Sequence, residues 1–190
     1  MTANGITMFQ GAAGTIAGAL DHATPAQLAA PSPCTEWTRR DVLNHMIGAS
    51  GMFAACARGE SQPFPDWSVM PDWVGDDPAA SYRRSAAALI AAYSAPGVLG
   101  GEVTMPWGAM PAAFALNVIT ADHVTHSWDL ARTAGLPIVI DDDAAGAALA
   151  TMQVAVSAEF RAAGFYGPEQ TAPEDAATMD RLAAFTGRPL

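Results

Sequence analysis

The sequence predicts an all-α protein, a four-helix bundle with additional short helices and a helix near its C-terminal end. Four long segments carry apolar residues at three- and four-residue spacing, the period of an amphipathic helix. Strand-like alternation is scarce, and no repeat of solenoid type occurs. At 190 residues, 51% hydrophobic and 15% charged, the chain carries enough apolar surface for one packed core and reads as one domain over residues 1–190.

Each element follows from local chemistry. The first helix is expected from about Ala3 to Leu20, with Ile6, Phe9, Ile16 and Leu20 on its apolar side. Thr24-Pro25 is a capped start for a short helical turn through Leu28, which Pro31 and Pro33 stop. The second helix opens at Thr38, with Asp41 three residues on in an arrangement close to a capping box, and continues to about Arg58 before Gly59. Ser61 to Asp77 is a loop rich in Pro, Trp and Asp, longer than a connector requires and of the kind that forms functional lids. A third helix is expected from Pro78 to Tyr93, ended by Pro96-Gly97, and Glu102 to Trp107 suits a short extended stretch. The fourth helix is expected from near Pro111 to Ala134, before Gly135-Leu136-Pro137. A fifth, from Asp142 to Ala163, starts with acidic residues that suit the helix dipole and stops at Gly164. A last helix covers Asp175 to Phe185.

Polar groups interrupt two of the apolar stripes. In the second helix Val42, Ala49, Met52 and Cys56 share a face, and His45 sits among them. In the fourth, Ala115, Val118, Ile119 and Leu130 form the face that Asp122, His126 and Asp129 complete. Asp122 and His126 are about 40° apart around the helix and about 6 Å apart along it, so they can converge on one small object. An ionised carboxylate in an apolar bundle needs a partner, and so does a buried imidazole. A divalent cation, zinc first, answers both needs, with His45, Asp122 and His126 as ligands and coordination positions left open as in catalytic sites. The alternative is a self-satisfied Asp/His helix pair beside a hydrogen-bonded core histidine. His123 points about 100° away from Asp122 and reads as a core or supporting residue, Asp129 as a partner that orients a ligand imidazole or else bonds the backbone of a neighbouring helix, and Trp128 as bundle packing. His22, after the first helix, is expected to be exposed.

Charge and composition exclude several classes. The formal charge of −10 disfavours nucleic acid and anionic membrane as partners. All nine basic residues are Arg, which removes lysine Schiff-base chemistry and the lysine of phosphate-binding loops. The start, MTANGITMFQGAAG, lacks a charged n-region and a clean apolar run, and no stretch approaches a membrane span, so a cytoplasmic location is expected. Cys34 and Cys56 are expected to remain thiols there. An Ala-rich, weakly charged surface is compatible with a homodimer.

The string Cys34-Thr35-Glu36-Trp37-Thr38-Arg39-Arg40-Asp41-Val42-Leu43-Asn44-His45-Met46-Ile47-Gly48, followed by Asp122-xxx-His126-Ser127-Trp128-Asp129-Leu130-Ala131-Arg132, resembles the actinobacterial metal-binding proteins of the DinB-like superfamily. These are related to the N-terminal domain of mycothiol-dependent maleylpyruvate isomerase. The closing strings Gly164-Phe165-Tyr166-Gly167-Pro168 and Asp180 to Arg188 are similar to that family's end, so the resemblance spans nearly the whole chain. It implies a four-helix bundle holding a metal, commonly zinc, through His45, Asp122 and His126, the same three residues that the burial argument selects. It also implies mycothiol or a similar low-molecular-weight thiol as cosubstrate, in isomerase or S-transferase chemistry on a small electrophilic substrate. The acidic ligand here is Asp122 where the isomerase has Glu, and the residues after Gly164 are too few for that enzyme's C-terminal domain, so isomerase activity itself is not carried over. Trp67, Trp73 and Trp107 are candidate cavity walls, and Arg83 or Arg84 a candidate partner for a substrate carboxylate. The competing readings are a hydrolase that uses metal-activated water, a non-catalytic metal- or small-ligand-binding protein, and an interaction module built on the aromatic loop Ser61 to Asp77.

Overall fold

The computed structural model describes residues 2–34, 37–132 and 135–190, with side chains from residue 5 onward in the first helix. Four long helices, α1 (Thr2–Leu20), α3 (Arg39–Ala57), α4 (Pro78–Tyr93) and α5 (Ala112–Ala131), form the expected bundle. Both α1 and α3 pack against α4 and α5, so α1, α4, α3 and α5 follow one another around a closed ring. Phe9, Ile16, Leu43, Met46, Leu89 and Leu116 are buried in its centre. Helix α6 (Asp142–Ala155) packs on α5, and α8 (Thr178–Phe185) packs on both, around a smaller apolar cluster of Ala121, Val124, Met152 and Leu182. The short helices are α2 (Pro25–Ala29) and α7 (Ala158–Ala162).

The start signals read from the sequence act as caps. The Thr38 hydroxyl accepts the Asp41 backbone N–H at 3.2 Å, and the Asp41 carboxylate accepts the Thr38 backbone N–H at 2.9 Å, a complete capping box at the head of α3. Thr24 and Gln27 do the same for α2, and the Asp77 side chain caps α4.

Four boundaries differ from expectation. Glu102 to Trp107 is not one extended stretch: β1 (Glu102–Met105) pairs antiparallel with β2 (Gly108–Pro111), and Trp107 lies in the tight turn between them. Helix α5 ends at Ala131, because Arg132 is extended and its carbonyl accepts from the buried Arg39 guanidinium at 2.8 Å; Thr133 and Ala134, expected to be helical, lie outside the described residues. The fifth helix is broken at Val156, where the backbone is extended and Ser157 caps the separate turn α7. The last helix starts at Thr178 rather than Asp175. Among the described residues, no helix is long and apolar enough to cross a membrane.

Candidate functional site

The seam between α3 and α5 brings together the three residues singled out from spacing. His45 Nε2 lies 3.3 Å from Asp122 Oδ1, and His126 Nε2 lies 3.6 Å from the same oxygen. One potential ligand atom from each residue lies within 4.8 Å of the others, an arrangement that could hold a metal ion. Both imidazoles are buried. His45 Nδ1 and Asp122 Oδ2 are buried without a hydrogen-bond partner, a costly condition for a polar atom and one that a cation against the carboxylate would relieve for Asp122.

The electrostatics favour the ligand forms of these groups. Burial works against the Asp122 carboxylate, but the imidazoles of His45 and His126 beside it outweigh that cost and hold its carboxyl well below the ordinary range. Burial lowers the pKa of His45, which leaves its ring neutral near pH 7 despite the adjacent carboxylate. An ionised Asp122 beside a neutral His45 ring is the state that binds a divalent ion without first losing protons.

Asp129 fixes the orientation of His126. His126 Nδ1 lies 2.8 Å from Asp129 Oδ2, so the ring donates from Nδ1 and turns the Nε2 lone pair toward Asp122 and His45. Asp129 is fully buried and is held in turn by Arg188, whose Nε and Nη2 donate to its two oxygens at 3.2 and 2.9 Å. Burial opposes the Asp129 charge, and Arg188 with His126 more than offsets it. The sequence offers Asp129 for this role through its helical spacing from His126, whereas Arg188 carries no signal beyond its place in the closing string.

His123 belongs to the core instead. Its Nε2 meets Ser50 Oγ at 3.1 Å and its Nδ1 meets Tyr82 Oη at 2.8 Å, and burial pushes its pKa down to about 4. Trp128 joins α5 to α8 through a 2.8 Å bond from Nε1 to Asp180. His22 is exposed.

His45, Asp122 and His126 line a cavity of about 1040 Å³. Trp67, on the long loop, sets its ring edge-on to His45 at 4.4 Å, and Trp37 lies 5.1 Å from the same imidazole. A run of aromatic contacts borders the cavity: Phe64 with Phe165 at 5.4 Å, Phe165 with Phe160 at 5.7 Å, and Phe160 with Trp107 at 6.3 Å. Trp67 and Trp107 are therefore walls, as expected. Trp73 does not line the cavity; it lies against Gly48, where a Cβ would come within 2.5 Å of its ring. Arg40 and Asn44 tie this part of the loop to α3 through Asp72, Gly75 and Val74.

The two arginines offered for a substrate carboxylate are elsewhere. Arg83 bonds Asp21 on the surface and Arg84 donates to Ser81, and neither reaches the cavity because both lie on the solvent face of α4. Both cysteines are free. Cys56 is buried in the core, and Cys34 lines the cavity, where burial pushes its thiol up to about 11, so it stays protonated at neutral pH. No spacing in the sequence places Cys34, Phe160 and Phe165 on the cavity wall; the assembled fold does.

Comparison with known proteins agrees with this fold. A family model described as the mycothiol maleylpyruvate isomerase N-terminal domain matches residues 9–131. Two uncharacterized proteins, from two strains of Mycobacterium tuberculosis, are each 31% identical over 163 residues, 85% of this chain and 85% of theirs. The crystal structure of the mycothiol-dependent maleylpyruvate isomerase aligns with a TM-score of 0.61 at 16% identity, over 86% of this chain and 72% of that one. A histidine-to-alanine mutant of that enzyme gives 0.59 at 17% identity, with the same coverage. These structural likenesses establish a shared fold.

Proposed function

The chain belongs to the mycothiol maleylpyruvate isomerase N-terminal domain family, and we propose on that basis that it is a divalent-metal-dependent enzyme using mycothiol or a similar small thiol as cosubstrate. The proposed ligands are His45, Asp122 and His126, and the proposed ion is zinc. The observation that carries the reading is the donor set itself: three potential ligand atoms within 4.8 Å of one another on the wall of a cavity of about 1040 Å³. The buried, partnerless Asp122 Oδ2 supports the fit of a cation, and three protein ligands leave coordination open for a reactant.

When bound, the ion would supply positive charge that favours the thiolate form of an incoming thiol at neutral pH. The residues of the chain do the rest. Asp129, braced by Arg188, keeps His126 in one tautomer and one orientation. Trp37 and Trp67 shield the imidazole of His45 from water. Cys34 remains protonated, which leaves the nucleophilic role to the added thiol. Attack of that thiolate on an electrophilic double bond, followed by rotation and elimination of the same thiolate, gives cis–trans isomerisation; addition completed by protonation of the adjacent carbon, or displacement that expels a leaving group with its electron pair, gives S-transfer.

Calorimetric titration of the zinc-loaded protein with mycothiol tests this reading. Binding should release close to one proton per thiol, seen as a heat that varies with the ionisation enthalpy of the buffer, and the signal should vanish in His126→Ala. Equal, buffer-independent heats for the zinc-loaded protein and the variant would refute it.

A further inference from the structure

We infer that the cavity beside His45, Asp122 and His126 takes an uncharged, largely apolar small molecule. That this molecule is the electrophilic substrate rests on the metal–thiol reading above. The inference comes from the state of the cationic side chains in the cavity. Among the described residues that line it, the basic ones are Arg161 and Arg188, and each is committed to a partner inside the protein.

Arg188 gives Nε and Nη2 to the two oxygens of Asp129 and Nη1 to the Thr186 carbonyl at 3.1 Å. Turning it toward a substrate carboxylate would leave Asp129, which is 0% exposed, without its counter-charge and would loosen the bond that orients His126. Arg161 bonds the carbonyls of Gly167 and Phe185, and its guanidinium lies 5.0 Å over the Phe185 ring. It thereby joins the segment after α7 to the end of α8, and its recruitment would open that junction.

The rest of the lining points the same way. Phe64, Trp107, Phe160 and Phe165 form a continuous aromatic border, and Met52 and Val118 add apolar surface. Asp66 adds negative charge to the lining, and the chain carries −10 overall, so in the metal-free protein an approaching anion is repelled. A dianion such as maleylpyruvate meets here only guanidiniums already bonded within the protein, Arg188 to a carboxylate and Arg161 to two backbone carbonyls, whereas a neutral activated alkene can bury its body against the aromatic border and leave its reactive carbon near the imidazoles.

Equilibrium dialysis with methyl cinnamate and cinnamate tests the inference, because the two share a skeleton and differ in charge. It is run on the purified protein before and after removal of metal by a chelator, so that ligation of the carboxylate by metal is separated from recognition by the chain. In the metal-free protein the ester should bind at least about tenfold more tightly than the acid, and Phe165→Ala, a change at a partly exposed ring, should weaken the ester by about three- to tenfold. Acid binding equal to or tighter than ester binding in the metal-free protein, or no binding of either, overturns the inference. Selective ester binding together with no proton-releasing thiol heat would sink the metal–thiol reading and leave this inference standing.

Discussion

At position 129 a carboxylate sits wholly inside the protein, and its neighbours explain how the cost is met. Arg188 supplies the counter-charge and His126 the third hydrogen bond. Asp129→Asn should therefore lower stability by about 3–5 kcal/mol in urea unfolding, because it leaves a buried guanidinium uncompensated. The same variant should weaken metal binding by about 10- to 100-fold. A change below about 1 kcal/mol would mean that solvent, not Asp129, balances Arg188. His123 makes a separate prediction through pH. Its folded pKa, about 4, lies below its ordinary value of 6.5, so the unfolded chain binds the proton more readily. Its contribution is complete above about pH 6.5 and is lost as pH falls toward 4, a cost of about 3 kcal/mol. In metal-free protein His45, also lowered by burial, acts in the same direction. Urea midpoints of the metal-free protein that stay constant across this window would contradict the burial of His123 as a neutral ring.

Among the elements, two glycines hold the covering segments in place. A Cβ at Gly48 would lie 2.5 Å from the Trp73 ring, so Gly48→Ala should displace the pinned part of the long loop and destabilise by about 1–3 kcal/mol, with a shift in tryptophan emission. Gly187 is more constrained: its φ is +95°, and a Cβ there would lie 2.6 Å from the Gly167 Cα. Backbone cannot swing aside as a ring can, so Gly187→Ala should cost more than Gly48→Ala and should also release Arg188 from Asp129. Equal stability of the two variants in urea unfolding would show that the Gly167–Gly187 crossing is not needed to seat Arg188. The long helices were legible in the sequence because periodicity and caps such as Thr38, Thr24 and Asp77 act within a few residues. The break at Val156 and the early stop at Ala131 were not legible, because Ser157 offers a competing cap and Arg39 captures the Arg132 carbonyl from a distant helix.

For the molecule as a whole, the centre of the bundle core lies apart from the candidate site, although Ala49, Phe53 and Ile119 belong to both. Phe9, Ile16, Leu43, Leu89 and Leu116 pack the centre without touching the cavity, so chelation should leave the helical circular dichroism near its starting value; collapse of that signal would make the site a structural one. The constellation of His45, Asp122 and His126 was legible because polar residues interrupted apolar stripes at helical spacing. Arg188 was not, since it stands 62 residues from His126 and reaches it only through the crossing of Gly187 over Gly167. Cavity walls from the long loop, the hairpin turn and α7 are likewise products of the assembled fold. Binding of one divalent ion by two imidazoles and a carboxylate is the proposal on which the thiol chemistry depends. Its most direct test is the metal content, by elemental analysis, of protein reconstituted with zinc and freed of excess, beside His45→Ala, Asp122→Ala and His126→Ala. One equivalent is expected in the parent and little in each variant that stays folded by circular dichroism. A metal-free parent, or folded variants that keep a full equivalent, would contradict it.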